Sequence, residues 1–357
     1  MKIIAYFLPQ FHEIEENNRW WGKGFTEWTN IKNAKPLYEE HEQPIVPLNN
    51  NYYNLLKKET MEWQTQLANK YGIYGFCYYH YWFNGRKILE KPIENLLKWS
   101  DIPQKFCFCW ANHSWKKTWN GTYEILIEQK YGQEEEWKEH INYLLKFFKD
   151  ERYIKIENKP LLNIFLPKDV PNLDERIEYY NKECIKNGFD GIYIIETIMK
   201  KDQKAVSKQS KAIVLREPNI GISESNWYEK LNYYIRGKFK KNFLKMPMMF
   251  SYNKITKNSL KFFKKFTIEN KNIIPGSFNK WDSTPRHKNR GYIIENKNIE
   301  DFKEYLLMQK KIMKARNTDY IFFNAWNEWA EGMYLEPDEK YKYGYLEAIK
   351  EVMDTEV

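Results

Sequence analysis

Cysteine is scarce: the 357 residues contain Cys77, Cys107, Cys109 and Cys184, with no Cys-x-x-Cys pair and no zinc-type spacing to histidine. That spacing excludes a disulfide scaffold and a thiolate metal site, and leaves four small apolar side chains suited to a reducing compartment. Long apolar runs are also missing, since none approaches the roughly 18 to 20 residues that span a bilayer. Only 15 glycines are present, and the one beginning of a Gly-x-Gly-x-x-Gly loop, Gly22 and Gly24, ends in Glu27 with no helix to follow. Dinucleotide binding is therefore not expected. There is no Asp-x-Asp for a metal-bound nucleotide diphosphate and no phosphate-cradling loop, so no cofactor is expected. Without repeats, low-complexity tracts or Gly/Ser linkers, residues 1–357 read as a single domain. The start, Met1 to Pro9, has no small-residue cleavage site and reads as a first strand rather than a signal peptide. The expected location is the cytoplasm, with the inner face of the membrane as its one special site.

Charge and aromatic residues are what the chain does have. The net charge is +9, but the lysines are spread along segments such as 257–271, as on a solvated helix face. The competing reading is attraction to an acidic polymer, a lipid-diphosphate carrier or an anionic membrane, which is the basis for expecting peripheral membrane association without a transmembrane segment. Nucleic acid is not an expected partner, because Lys116-Lys117-Thr118-Trp119 only weakly imitates interleaved basic and stacking residues. The 14 Trp and 27 Tyr offer flat apolar faces with polar tips, which match sugar rings; a Tyr-rich core is the plainer explanation.

Apolar β-rich runs alternate with helical patterns, which predicts a parallel sheet wrapped by helices and, at this length, an α/β fold of the single (β/α)8 TIM-barrel type with long βα loops. Strands are predicted at 2–8, 74–81, 105–110, 160–166, 191–197, 213–216, 273–278 and 320–326, with 246–252 competing for the sixth place. Helices are predicted at 60–71, 134–149 and 174–187, the first and last stopping at Gly72 and Gly188. Residues 9–54 show no period and form a long first loop, of a length that is usually functional.

Candidate site residues follow the predicted strand ends. Tyr6 lies in the first strand near its end, and the loop after that strand offers Gln10 and Glu27 for hydroxyl groups, with Trp21 or Trp28 as a stacking platform or as packing over the mouth. After the second and third strands come His80 and Trp82, then Trp110, Asn112, His113 and Trp115. Neither histidine belongs to a His-x-x-x-His pair or has a carboxylate co-ligand by spacing, so hydrogen bonding to hydroxyls or a satisfied core position is expected rather than a metal. Glu128 has two readings, a structural ion pair or a cleft-lining acid. The turn at 279–286 displays Trp281, Asp282 and Arg286; Arg286 either clamps an anionic group or pairs with Asp282.

The strongest signal is Asn327-Glu328-Trp329-Ala330-Glu331-Gly332, directly after the apolar run 320–326. A carboxylate there stands at the C-terminal mouth, where α/β barrels gather their reacting groups. Two carboxyls with separated pKa values can supply both proton donor and attacking or stabilising group for glycosidic cleavage. Sequence spacing does not fix their separation, so retention (about 5–5.5 Å) and inversion (about 6.5–9.5 Å) both stand at this point.

This motif, with Leu335-Glu336-Pro337 after it, resembles the signature of glycoside hydrolase family 99, the endo-α-mannosidases. Taken with Phe7-Leu8-Pro9-Gln10-Phe11-His12, Gly24-Phe25-Thr26-Glu27-Trp28 and Trp281-Asp282-Ser283-Thr284-Pro285-Arg286, the chain resembles more strongly the WbsX-type family of O-antigen and capsule clusters, whose members carry a glycosyltransferase label. The resemblance implies a (β/α)8 barrel and retaining chemistry without a catalytic metal. It implies that Glu328 deprotonates the sugar 2-hydroxyl to give a 1,2-anhydro intermediate and that Glu331 acts as acid and then base. Tyr252 loosely matches a tyrosine near the reacting centre, and Asn327, Trp329 and Glu336 fall within the motif. Ala330 stands where the mannosidases carry histidine, which leaves the sugar open.

Three functions are thus in view. The first is a retaining glycoside hydrolase or transglycosidase acting on a surface oligosaccharide or its lipid-linked precursor. The second is a sugar-nucleotide-dependent glycosyltransferase of lipopolysaccharide assembly, and the third a non-catalytic glycan-binding barrel.

Overall fold

The computed structural model describes residues 1–119, 122–225, 235 and 246–357. Its centre is a closed parallel barrel of eight staves: β1 (Lys2–Phe7), β2 (Ile73–Phe83), β3 (Phe106–Trp110), β4 (Lys159–Ile164), β5 (Tyr193–Ile198), β6 (Ala212–Leu215), β7 (Asn272–Ile274 and Gly276–Phe278) and β8 (Tyr320–Asn324). Each pairs with the next, and β8 returns to β1 with Tyr320 beside Lys2 and Phe323 beside Ala5. The seventh stave is in two pieces because Pro275 has no amide hydrogen to give the ladder. Its first piece pairs with β6 and its second with β8, so the barrel closes across the break. Gly276 is required there, since a Cβ would lie 2.1 Å from the Leu215 carbonyl oxygen of β6.

The staves read as apolar runs because both faces are covered. In β3 every residue of Phe-Cys-Phe-Cys-Trp is buried, which is where Cys107 and Cys109 belong; Cys77 and Cys184 are buried thiols as well. Helices Lys58–Lys70, Lys91–Lys98, Glu134–Phe148 and Leu173–Lys186 precede β2 to β5, Tyr252–Lys265 precedes β7, and Ile299–Ala315 precedes β8. The connection 199–211, all of it described, has no helix. Buried Glu196 of β5 organises it instead, accepting from the Val206 amide at 2.7 Å, the Ser207 amide at 3.1 Å and the Ser210 hydroxyl at 2.5 Å.

The segment that competed for the sixth place is a strand, but not a stave. Met248–Ser251 pairs with Tyr292–Glu295, which also carries Trp281–Asp282, in a separate three-stranded sheet. Its residues are partly exposed, whereas all four of β6 are buried. The first loop holds the short helices Glu15–Trp21 and Glu27–Lys32 and is tied to the β8 end by Asn327, whose Oδ1 accepts from the Leu8 amide at 2.7 Å. Among the described residues, no helix is long and apolar enough to cross a membrane.

Candidate active site

The C-terminal ends of the staves open into a cavity of about 630 Å³. Glu328, Glu331, Gln10, Glu27, His113, Trp115 and Arg286 line it, together with Trp21, Tyr79, Tyr81, Arg216 and His287. Of the residues expected to meet a ligand, the first seven are therefore brought together, along with Trp21, one of the two tryptophans expected as a stacking platform.

Two arginines organise the acids. Arg286 donates from Nε (3.1 Å) and Nη2 (2.8 Å) to Oε2 of buried Glu27, and from Nη1 to Oε1 of Glu331. The other oxygen of Glu331 accepts from Trp281 Nε1 at 3.2 Å. Burial opposes the charge of Arg286, but Glu27, Glu331 and Glu328 outweigh it and push its pKa further up. Arg216, at the end of β6, donates from Nη2 to the Tyr79 hydroxyl at 2.8 Å, and Tyr79 hydrogen-bonds Glu328.

Glu328 is the deeper carboxyl. Burial and then the charge of Glu331 push its pKa above the ordinary carboxylate range, against Arg216, Arg286 and the Tyr79 hydrogen bond, which pull it down. Glu331 stands nearer solvent, its side chain 25% exposed. One carboxyl is thus buried between two cations, and the other is held in place at the opening. Such a pair has one member shielded from water and one that can exchange protons with it.

Other expected residues lie elsewhere. Trp28 is buried, donates from Nε1 to the Tyr53 carbonyl at 2.8 Å and packs on Phe11, Tyr52, Tyr53 and Trp329, so it supports the loop and does not face the cavity. Trp329 is buried too, stacked on Tyr334 at 3.9 Å with its Nε1 2.6 Å from Glu336. Glu336 also accepts from Tyr53 at 2.7 Å and Gln64 at 2.6 Å; burial nevertheless lifts its pKa to about 7. These residues, with Asn327, form a polar seam beneath the mouth. Tyr6 is inside the barrel, where it donates to Asn163 at 3.1 Å.

His80, Trp82 and Trp110 point outward, away from the cavity, because successive residues of a strand face opposite sides. His80 Nε2 lies 2.9 Å from His140 Nε2, Trp82 Nε1 donates to Glu136 at 2.5 Å, and Trp110 lies under the Arg176 guanidinium at 4.4 Å. Asn112 ties the end of β3 to the end of β4, bonded to both the amide and the carbonyl of Leu166 at 2.8 Å. Glu128 is the ion-pair member of its two readings, exposed and 3.4 Å from Lys130. Tyr252 donates to the Phe278 carbonyl at 3.2 Å and is buried outside the cavity.

Asp282 does not pair with Arg286. It accepts from His41 at 2.9 Å, Gln43 at 2.6 Å and Thr284, and so fastens the first loop to the turn that carries Trp281. Tyr79, Tyr81, Arg216 and His287 were not anticipated. Alternation puts the two tyrosines on the face of β2 opposite to His80 and Trp82, and Arg216 is one of two charged residues, with Glu217, that end the run Ile213-Val214-Leu215. Among the described residues, no group of three or more His, Cys, Asp or Glu is placed to hold a metal ion.

Fold and cavity define a (β/α)8 barrel with a paired-carboxylate mouth. The chain matches the family described as Glycosyltransferase WbsX over residues 3–349, and it belongs to that family. It is 29% identical over 98% of its length to Uncharacterized protein WxcX of Xanthomonas campestris pv. campestris (strain B100), and it spans about half of that relative, 49%. Its fold is similar to a solved structure titled glycoside hydrolase-like protein (TM-score 0.63, 14% identity, 99% of this chain and 94% of the other). It is also similar to the GH99 endo-alpha-mannosidase from Bacteroides thetaiotaomicron in complex with bis-tris-propane (TM-score 0.58, 14% identity, 99% and 96% covered).

Proposed function

We propose that residues 1–357 form one carbohydrate-active catalytic barrel, a retaining glycoside hydrolase or transglycosidase that acts on a surface-polysaccharide oligosaccharide or its lipid-linked precursor at the inner face of the membrane. The observation that carries this reading is the pair Glu328 and Glu331 lining one cavity, the first beside Arg216 and Tyr79, the second on Arg286 and Trp281. Glu328 is assigned as the base toward the sugar 2-hydroxyl, since a carboxylate made more basic by burial is a stronger proton acceptor. Glu331 is assigned as acid and then base, because its partial exposure lets it take a proton from water and return it.

The second reading, a glycosyltransferase using a sugar nucleotide, is favoured by the description of the family itself. Mass spectrometry separates the two: the protein is incubated with candidate surface oligosaccharides alone and with sugar nucleotides, with Glu328→Gln as control. Glu328-dependent cleavage or transfer without nucleotide supports the first reading; transfer only with nucleotide supports the second.

Two further outcomes are expected. The acid limb of kcat/KM against pH reports ionisation of Glu328 in the free enzyme, and because Arg216 pulls that pKa down, Arg216→Gln should move the limb to higher pH. An unmoved limb would mean that another group controls it. Trp115→Ala should weaken glycan binding about tenfold with little change in stability, the scale of one sugar–aromatic contact. Trp28→Ala should do the reverse, costing about 3–5 kcal/mol of stability as a large core truncation. Thermal melts with and without glycan distinguish the two variants, and equal effects on binding would refute the placement.

A further inference from the structure

The two cations of the cavity are not equivalent. Arg286 has Nε, Nη1 and Nη2 all committed to Glu27 and Glu331. Arg216 gives Nη2 to Tyr79, while its Nη1 is buried without a protein partner. Its guanidinium is held between aromatic faces, 4.8 Å from the centre of Phe165, 5.0 Å from Tyr6 and 5.9 Å from Tyr79. A second unmatched atom lies nearby: His113 Nδ1 is buried with no partner, and its ring also packs on Phe165, at 5.7 Å. Lys116 completes the group on the exposed rim of the same cavity.

A buried guanidinium donor left unmatched costs more than a neutral one, and a rigidly held fork is costly to leave empty. Three nitrogen-bearing side chains on one wall, two with unmatched buried atoms, fit an oxyanion. Glu328 shares the field of the Arg216 guanidinium, but Nη2 is given to Tyr79 and Nη1 has no partner, so the fork stays open to an anionic oxygen that a neutral sugar hydroxyl would not supply. Resting on the glycan reading above, we infer that the substrate carries an anionic group, a sugar carboxylate or a phosphate, seated on Arg216 with His113 and Lys116 around it. The acids act on the bond while this wall selects the charged residue or carrier. An acidic sugar in the chain and a phosphate on a carrier present the same chemistry to the fork.

The test is equilibrium binding to the full chain, followed by tryptophan fluorescence because Trp21 and Trp115 line the cavity. Methyl glucuronide, methyl glucoside, inorganic phosphate and pyrophosphate are compared at one ionic strength. One of the anions should bind at least about tenfold more tightly than the neutral glycoside, the scale of a charge-assisted hydrogen bond. Arg216→Gln should bring that ratio to about one, and Arg216→Lys, which keeps the charge without the fork, should retain part of it. Preference for the glucuronide assigns the wall to an acidic sugar, and preference for phosphate or pyrophosphate assigns it to a carrier. No anion preferred over the neutral glycoside, or a preference that survives Arg216→Gln, overturns the inference. Anion binding through Arg216 in a protein that turns over no glycan would leave the subsite standing and remove the glycosidic reading. Turnover of neutral glycans with no anion preference would do the opposite.

Discussion

Glu331→Gln should lower glycan turnover by about 10²–10⁴-fold, the usual contribution of a positioned acid or base, while glycan affinity stays within a few-fold. The amide keeps the size of the carboxyl and one oxygen to accept from Arg286 or Trp281, and Arg286 stays anchored on Glu27, but the amide has no proton to give. Glu328→Gln should cost as much, and the double variant little more than either alone, because residues that act as one unit lose their effect together. Single-turnover kinetics alongside equilibrium binding separates these losses from a failure to bind. A Glu331→Gln protein that turns over normally would remove that residue from the mechanism, and losses that multiply in the double variant would mean that the two acids serve separate steps.

The barrel was legible because a stave covered on both faces must be an apolar run, and seven of its connections are long enough to return the chain in parallel. What the run of apolar residues does not encode is its partner. Residues 246–252 and 213–216 are comparable as strings, yet only the second is sheltered, between β5 and β7, and the first lies in an outer sheet. The site divides along the same line. Glu328, Glu331, Gln10, His113, Trp115 and Arg286 lie in the segments that leave stave ends, Glu27 opens the second short helix of the first loop, and all seven meet in the cavity. His80, Trp82 and Trp110 are inside their staves, where a change of one position changes the side, and with both faces covered the alternation alone does not mark the inward one. Trp28 shows a different limit: its indole is satisfied by the backbone of Tyr53, a contact 25 positions away that no local pattern announces.

The outward face of β2 and β3 gives a stability effect as large as that of the Trp28 truncation. Behind it, Arg176 Nη2 donates to Glu136 at 3.0 Å and to His140 Nδ1 at 2.9 Å, Tyr180 lies 2.8 Å from the same nitrogen, and His140 Nε2 faces His80. Nδ1 accepts from arginine, so His140 carries its proton on Nε2 and gives it to His80; both rings are neutral. Arg176→Met removes one partner of a buried pair and leaves Glu136, on the helix Glu134–Phe148, buried without its cation, which should cost about 3–5 kcal/mol, read as a lower denaturation midpoint. The pH dependence carries a second signature. Burial, with Lys87 beyond it, holds His80 down at about 3, and burial, His80 and Arg176 hold His140 well below its ordinary value. Below about pH 6.5 the unfolded chain therefore binds protons at both positions that the folded chain does not, and stability from this network falls as pH drops. Each histidine contributes a slope of at most about 1.4 kcal/mol per pH unit between its unfolded and folded pKa values. His80→Phe, which fits the stack of Trp82, Phe108 and Tyr143, should reduce the acid-side slope by close to one proton. An unchanged slope in that variant would mean that His80 is already protonated in the folded protein, and the assignment of a neutral histidine pair would fail.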